Sequence, residues 1–147
     1  MAELAQLDEK TSVAGQIAPG DVADIAASGI ALIVNNRPDG EAMFGQAPAS
    51  KIEAEALKHG LAFIDLPFAA PMLAPEHVAK FAEILQATDG RILVYCRSGS
   101  RSTMLWAAAK VALGTPIETV IAQAAAAGYD LRQATHAIKA LAGSAAV

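Results

Sequence analysis

Four apolar residues in a row, Ile92-Leu93-Val94-Tyr95, run into Cys96, the single cysteine of the chain. Such a short, β-branched run reads as a buried strand. Next come Arg97-Ser98-Gly99-Ser100-Arg101-Ser102, all small or basic, and then Met104-Leu105-Trp106-Ala107-Ala108-Ala109, which reads as helix. A strand, a tight polar loop and a helix start gather backbone N–H groups into an anion cradle. At its mouth, the helix dipole and the arginines favour a thiolate on Cys96. Ser102, at the helix start, is placed to donate its hydroxyl to that sulfur. The plain alternative is an ordinary buried thiol at a strand end. It leaves the glycine, both arginines and the flanking serines without a reason.

The rest of the chain repeats strand and helix. Ser12 to Ile17 is a first strand, and Val22 to Ser28 a helix opened by Pro19-Gly20-Asp21 and closed by Gly29. Ile30 to Val34 is apolar without alternation, as in a strand buried on both faces. A polar loop follows, Asn35-Asn36-Arg37-Pro38-Asp39-Gly40-Glu41. Ser50 with Glu53 forms a capping box for a helix from Lys51 to His59, ended by Gly60. Leu61 to Leu66 is a third strand, Phe68 to Ala74 an apolar loop, and Pro75 to Gln86 a helix with Val78, Phe81, Ala82 and Leu85 on one face. Three helices close the chain, over 101–113, 116–127 and 131–142, with Thr115 and Asp130 as caps of the last two. The alternation predicts one α/β domain over 1–147, a small parallel sheet flanked by helices. Its ligands would sit beyond the carboxyl ends of the strands, where Asn35–Glu41, Pro67–Met72 and Cys96–Ser102 should meet.

Composition narrows the function. The chain is 54% apolar, much of it alanine, and only 5% aromatic, which suits helices packed closely on a sheet. A net charge of −4 and the lack of a basic run argue against nucleic acid as a partner. Arg97 and Arg101 form a local positive site that suits a small anionic substrate. A lone cysteine makes no internal disulfide, so a reducing, cytoplasmic setting is expected. The N-terminus lacks the basic and apolar regions of a signal peptide. The alanine-rich region 104–128 is broken by Lys110, Gly114-Thr115-Pro116 and Glu118, so no membrane span is expected. His59, His77 and His136 fall on three separate helices without ligand spacing, so neither metal nor cofactor is expected.

Together, Gly15-Gln16-Ile17, Asn35 to Glu41 and Tyr95 to Ser102 resemble the phosphatase-like domain of the bacterial β-lactamase hydrolase-like family. The resemblance spans nearly the whole chain. It implies a fold like that of dual-specificity and other cysteine phosphatases. Members of the family are labelled phosphatases or sulfur transferases. Relatives occur fused to metallo-β-lactamase-like hydrolases, some of which oxidise persulfides; this implies such a hydrolase as a partner.

Loop length separates the two chemistries. Cysteine phosphatases have five residues between cysteine and arginine, whereas four lie between Cys96 and Arg101, a spacing similar to that of rhodanese-type sulfurtransferases. A shorter loop closes a tighter ring of N–H groups, which suits the one extra sulfur of a persulfide. A phosphoryl group needs more room and the arginine's fork. Tyr95 stands where phosphatases have histidine. The loop Phe68-Ala69-Ala70-Pro71-Met72-Leu73 carries no acid where they have aspartate. A general acid is worth about 10²–10⁴-fold to an ester leaving group, whereas a thiolate or sulfite leaves as an anion. The leading expectation is therefore a sulfurtransferase that forms a persulfide on Cys96. The alternatives are a phosphatase, or an anion-binding module without turnover.

In either enzyme Cys96 is the nucleophile, Arg101 grips the oxyanion and Asp39 is the first candidate for proton transfer, with Glu41 beside it. Ser98, Gly99, Ser100 and Ser102 line the anion site, with Arg97 and Arg37 as further anion ligands. Arg37 is alternatively a partner for Asp39. Asp65 precedes Cys96 by 31 positions, near the spacing of a phosphatase acid, but falls within a predicted strand. Glu76 fits a first helical turn without catalysis. Trp106 and Phe81 read as core.

Overall fold

The structure is a computed structural model that describes residues 3–145; the two residues at each end of the 1–147 domain reading lie outside the described residues. Five strands form one sheet in the order β1-β2-β5-β3-β4: β1 Ala5–Gln6, β2 Thr11–Ala14, β3 Ile30–Asn35, β4 Ala62–Asp65 and β5 Arg91–Tyr95. β2, β5, β3 and β4 are parallel, but β1 runs antiparallel to β2. The expected parallel sheet flanked by helices is therefore present in β2 to β5, and one antiparallel edge strand makes the whole sheet mixed. A tight turn makes the difference. The Asp8 carboxylate accepts the N–H groups of Lys10 and Thr11 at 2.9 and 2.7 Å and folds Ala5–Gln6 back on β2. Two residues of strand are too few to leave a pattern in sequence.

The helices are α1 Val22–Ala27, α2 Ala49–Lys58, α3 Pro75–Ala87, α4 Ser100–Ala112, α5 Ile117–Ala126 and α6 Thr135–Ser144. They cover both faces of the sheet. Leu93 and Tyr95 of β5 pack with Ile25 of α1 and Ile52 of α2. Ile92 and Val94 pack the other way, with Phe81, Trp106, Val120 and Ile138 of α3 to α6. This two-sided burial is why the central strands read as unbroken apolar runs. In α4, Leu105, Trp106, Ala107, Ala108 and Ala109 are all fully buried, because α3, α5 and α6 surround the helix. Alanine lets them approach closely, and the loop at the head of α4 inherits a rigid base.

Three helix starts differ from expectation. α5 begins at Ile117 after Pro116, with no side-chain cap from Thr115. α2 begins at Ala49 without a side-chain cap of its own, so the Ser50/Glu53 box does not form. Asp39 takes that place, accepting the Ala49 N–H at 2.9 Å. Asp130 does not cap α6: it accepts the Arg132 N–H at 3.1 Å, ahead of a short 3-10 turn, Arg132–Ala134, that precedes the helix. The first strand stops at Ala14, not Ile17, because Gly15 turns toward the loop after β5: a Cβ there would lie 2.9 Å from the Arg97 carbonyl oxygen. Among the described residues no helix is long and apolar enough to cross a membrane.

Candidate active site

β5 ends at Tyr95, and Cys96 sits buried where the chain leaves the sheet. The chain turns at once into α4, with Gly99 as the residue before the helix at φ +90°. Only glycine enters that region cheaply. The turn sets the Gly99 N–H 3.1 Å from Cys96 Sγ, donating to it. The N–H groups of Arg97, Ser98, Ser100, Arg101 and Ser102 have no acceptor among the described residues. Five backbone N–H groups of the loop and the first turn of α4 are thus left unspent, which is what an anion cradle requires.

The three segments expected at the sheet edge do meet. Both Glu41 carboxylate oxygens accept from Arg101, Oε1 from Nη2 and Oε2 from Nη1, each at 2.8 Å. The Phe68 carbonyl accepts from Arg101 Nη1 at 3.1 Å. Arg37 donates from Nε to Glu41 at 2.9 Å and from Nη1 to Gln16 at 3.1 Å. The Arg37 side chain is only 4% exposed. Its guanidinium is spent on Glu41 rather than offered to an anion or paired with Asp39. Hydrogen bonds from Arg101 first, and from Arg37, hold the Glu41 carboxyl down at about 2 against the opposing effect of burial. Glu41 is therefore a fixed anion that braces two arginines.

Ser102 does not serve the sulfur. Its buried hydroxyl donates to Asn36 Oδ1 at 2.8 Å, and Asn36 Nδ2 donates to the Leu66 carbonyl at 2.9 Å. This chain ties the cysteine loop to the ends of β3 and β4. Thr103 donates its hydroxyl to the Gly99 carbonyl at 2.8 Å. Ser98 and Ser100 hydroxyls are 3.2 Å apart at the rim. Arg97 is exposed, and its side chain has no partner among the described residues; its carbonyl accepts the Gln16 N–H at 3.1 Å. Asp39 is turned to the start of α2 and takes no part in this network.

Asp65 closes β4 and accepts from Asn35 Nδ2 at 2.8 Å. His77 accepts the Ala74 N–H at 3.0 Å and stacks on Phe68, ring centroids 5.1 Å apart. Among the described residues no three of His, Cys, Asp and Glu gather as a metal site. Beside Arg101 lies a groove of about 250 Å³, with Phe68, Leu73, Met104 and Leu141 in its apolar wall. Sequence reasoning placed Asn36 and Gln16 in motifs without a role and missed Tyr129 altogether. Tyr129 reaches the loop from beyond α5 and donates its hydroxyl to the Ser98 carbonyl at 3.1 Å. No local pattern marks it.

Known proteins carry the same arrangement of elements. Residues 3–113 match the family described as "Beta-lactamase hydrolase-like protein, phosphatase-like domain". A β-lactamase hydrolase-like protein of Xylella fastidiosa is 30% identical over 138 residues, 93% of this chain and 32% of that protein. The chain spans under a third of the length of each curated relative it matches at this level. A solved Neisseria meningitidis structure, described as a candidate phosphatase, is 29% identical with a TM-score of 0.82, covering 93% of this chain and 96% of that one. Kinase-associated phosphatase, solved with its catalytic cysteine changed to serine, is 13% identical at a TM-score of 0.73, covering 99% and 97% of the two chains. That likeness shows the fold, the α/β fold of cysteine-based phosphatases. The chain belongs to the phosphatase-like domain family of the β-lactamase hydrolase-like proteins.

Proposed function

We propose that the domain is a cysteine-dependent phosphatase that hydrolyses phosphomonoesters through a phosphocysteine on Cys96. The observation that carries this is the bracing of Arg101. A guanidinium has five N–H donors. Three are taken by Glu41 and the Phe68 carbonyl. The remaining Nε–H and one Nη2–H lie along one edge, the fork that grips two oxygens of a phosphoryl group. Persulfide formation has less use for such a fork. The four-residue spacing, which pointed to sulfur transfer, does not remove the donors either, since the N–H groups of Arg97, Ser98, Ser100, Arg101 and Ser102 have no acceptor among the described residues, and that of Gly99 serves the sulfur. Family and fold support the phosphatase over the sulfurtransferase.

In this mechanism the Cys96 thiolate attacks phosphorus and the P–O ester bond breaks. The leaving oxygen departs as an aryloxide, or takes a proton from water and departs as the alcohol. Water then attacks phosphorus, the S–P bond breaks, and the thiolate and inorganic phosphate are released. The Gly99 N–H at 3.1 Å stabilises the sulfur as it attacks and again as it leaves. The loop after β4 has no acid, so leaving groups that depart without a proton turn over fastest. The ester's organic part would lie along the groove lined by Phe68 and Met104. In longer relatives a hydrolase domain would be the neighbour of this one.

The test is hydrolysis of p-nitrophenyl phosphate with matching release of inorganic phosphate, beside Cys96→Ser. Acid quenching should trap a phosphoryl group on wild-type protein only. No turnover, with one sulfur gained from thiosulfate, would return the reading to sulfur transfer. Phosphate binding without turnover or sulfur gain would leave an anion-binding module.

A further inference from the structure

Tyr129 lies beyond residues 3–113, the part matched to the family. The end of α5 aims it. Gly128 has φ +99°, its N–H donates to Ala125 O at 3.0 Å, and the Tyr129 N–H donates to Ala124 O at 2.8 Å. That pair of bonds is the Schellman termination, and it folds the chain back toward the cysteine loop. There the Tyr129 hydroxyl donates to the Ser98 carbonyl at 3.1 Å.

The peptide that accepts this bond is the one that serves the nucleophile. Ser98 C=O and Gly99 N–H belong to a single peptide plane, and the Gly99 N–H donates to Cys96 Sγ. In a trans peptide the two groups point in opposite directions. Holding the carbonyl outward therefore holds the N–H on the sulfur. Gly99 can flip that plane at little steric cost, and a flipped plane would turn a carbonyl oxygen on the thiolate. We propose that Tyr129 is a positioning residue whose hydroxyl latches the 98–99 peptide in the orientation that serves Cys96. Its hydroxyl oxygen also sits 2.2 Å from where a Gly99 Cβ would be, so the glycine and the tyrosine are matched. Burial first, then the charge of Cys96, raise the Tyr129 hydroxyl above its usual value and keep it a donor.

Tyr129→Phe removes the hydroxyl alone. Two readouts follow the cradle without turnover: calorimetric affinity for inorganic phosphate, and the rate at which iodoacetamide alkylates Cys96. Either or both should fall about three- to tenfold, with the thermal midpoint within about 2 °C of wild type. Unchanged affinity and alkylation would overturn the latch, whatever the melting temperature does. The anion part rests on the phosphatase reading, whereas alkylation does not. Wild type that turns over no phosphate ester would sink that reading and leave the latch testable.

Discussion

Glu41 holds Arg101 end-on across 60 positions of sequence, one carboxylate oxygen to each terminal nitrogen, both at 2.8 Å. Removing the charge while keeping the shape, as in Glu41→Gln, weakens that grip. kcat/KM for an aryl phosphate should fall about 10- to 100-fold, about 1.4–2.8 kcal/mol of transition-state stabilisation. The pair also has a pH signature. The folded Glu41 carboxyl, at about 2, lies below its ordinary value of 4.5. Its contribution to stability is therefore complete above about pH 4.5 and is lost as pH falls toward 2. Melting temperatures of wild type and Glu41→Gln, followed from neutral to acid pH, should converge at the acid end.

Asp39 offers the contrast. Its carboxylate accepts the Ala49 N–H at 2.9 Å, so Asp39→Ala should cost about 0.5–2 kcal/mol in urea unfolding. Asp39→Asn keeps an acceptor and should cost less. Neither should change kcat/KM more than about threefold. A loss of about 100-fold in Asp39→Asn would instead make it the proton donor.

The Ser102 hydroxyl and Asn36 Oδ1, 2.8 Å apart, are buried together. Ser102→Ala strands the Asn36 oxygen. The expected cost is about 1–3 kcal/mol, read as a lower urea midpoint at unchanged slope. A change below about 0.3 kcal/mol would show that the link between the cysteine loop and β3 carries no stability.

Met104 lines the groove beside Arg101. Met104→Gln, which adds polarity without charge, should raise KM for aryl phosphates about tenfold, leave the affinity for inorganic phosphate within about twofold, and narrow the preference for apolar over polar esters. Equal KM values would show that the ester group leaves the cradle by another route.

Much of the fold was legible because its signals are local. Ile92–Tyr95 and Ile30–Val34 announced strands covered on both sides, and Gly99 between small polar residues announced a turn into a helix. Cys96 and its cradle followed, since a strand, a loop and a helix start in that order leave the backbone few other shapes. β1 was not legible, because two residues show no periodicity. The partners of the loop were not legible either. Asp39 and Glu41 stand two positions apart in one polar loop, and nothing in their order says which caps α2 and which braces Arg101. Ser102 with Asn36 and Tyr129 with Ser98 are joined across 66 and 31 positions. Composition and periodicity report what each segment does with its neighbours in the chain. Which side chain meets which across such distances is decided only when the helices pack on both faces of the sheet and bring the carboxyl ends of the strands together.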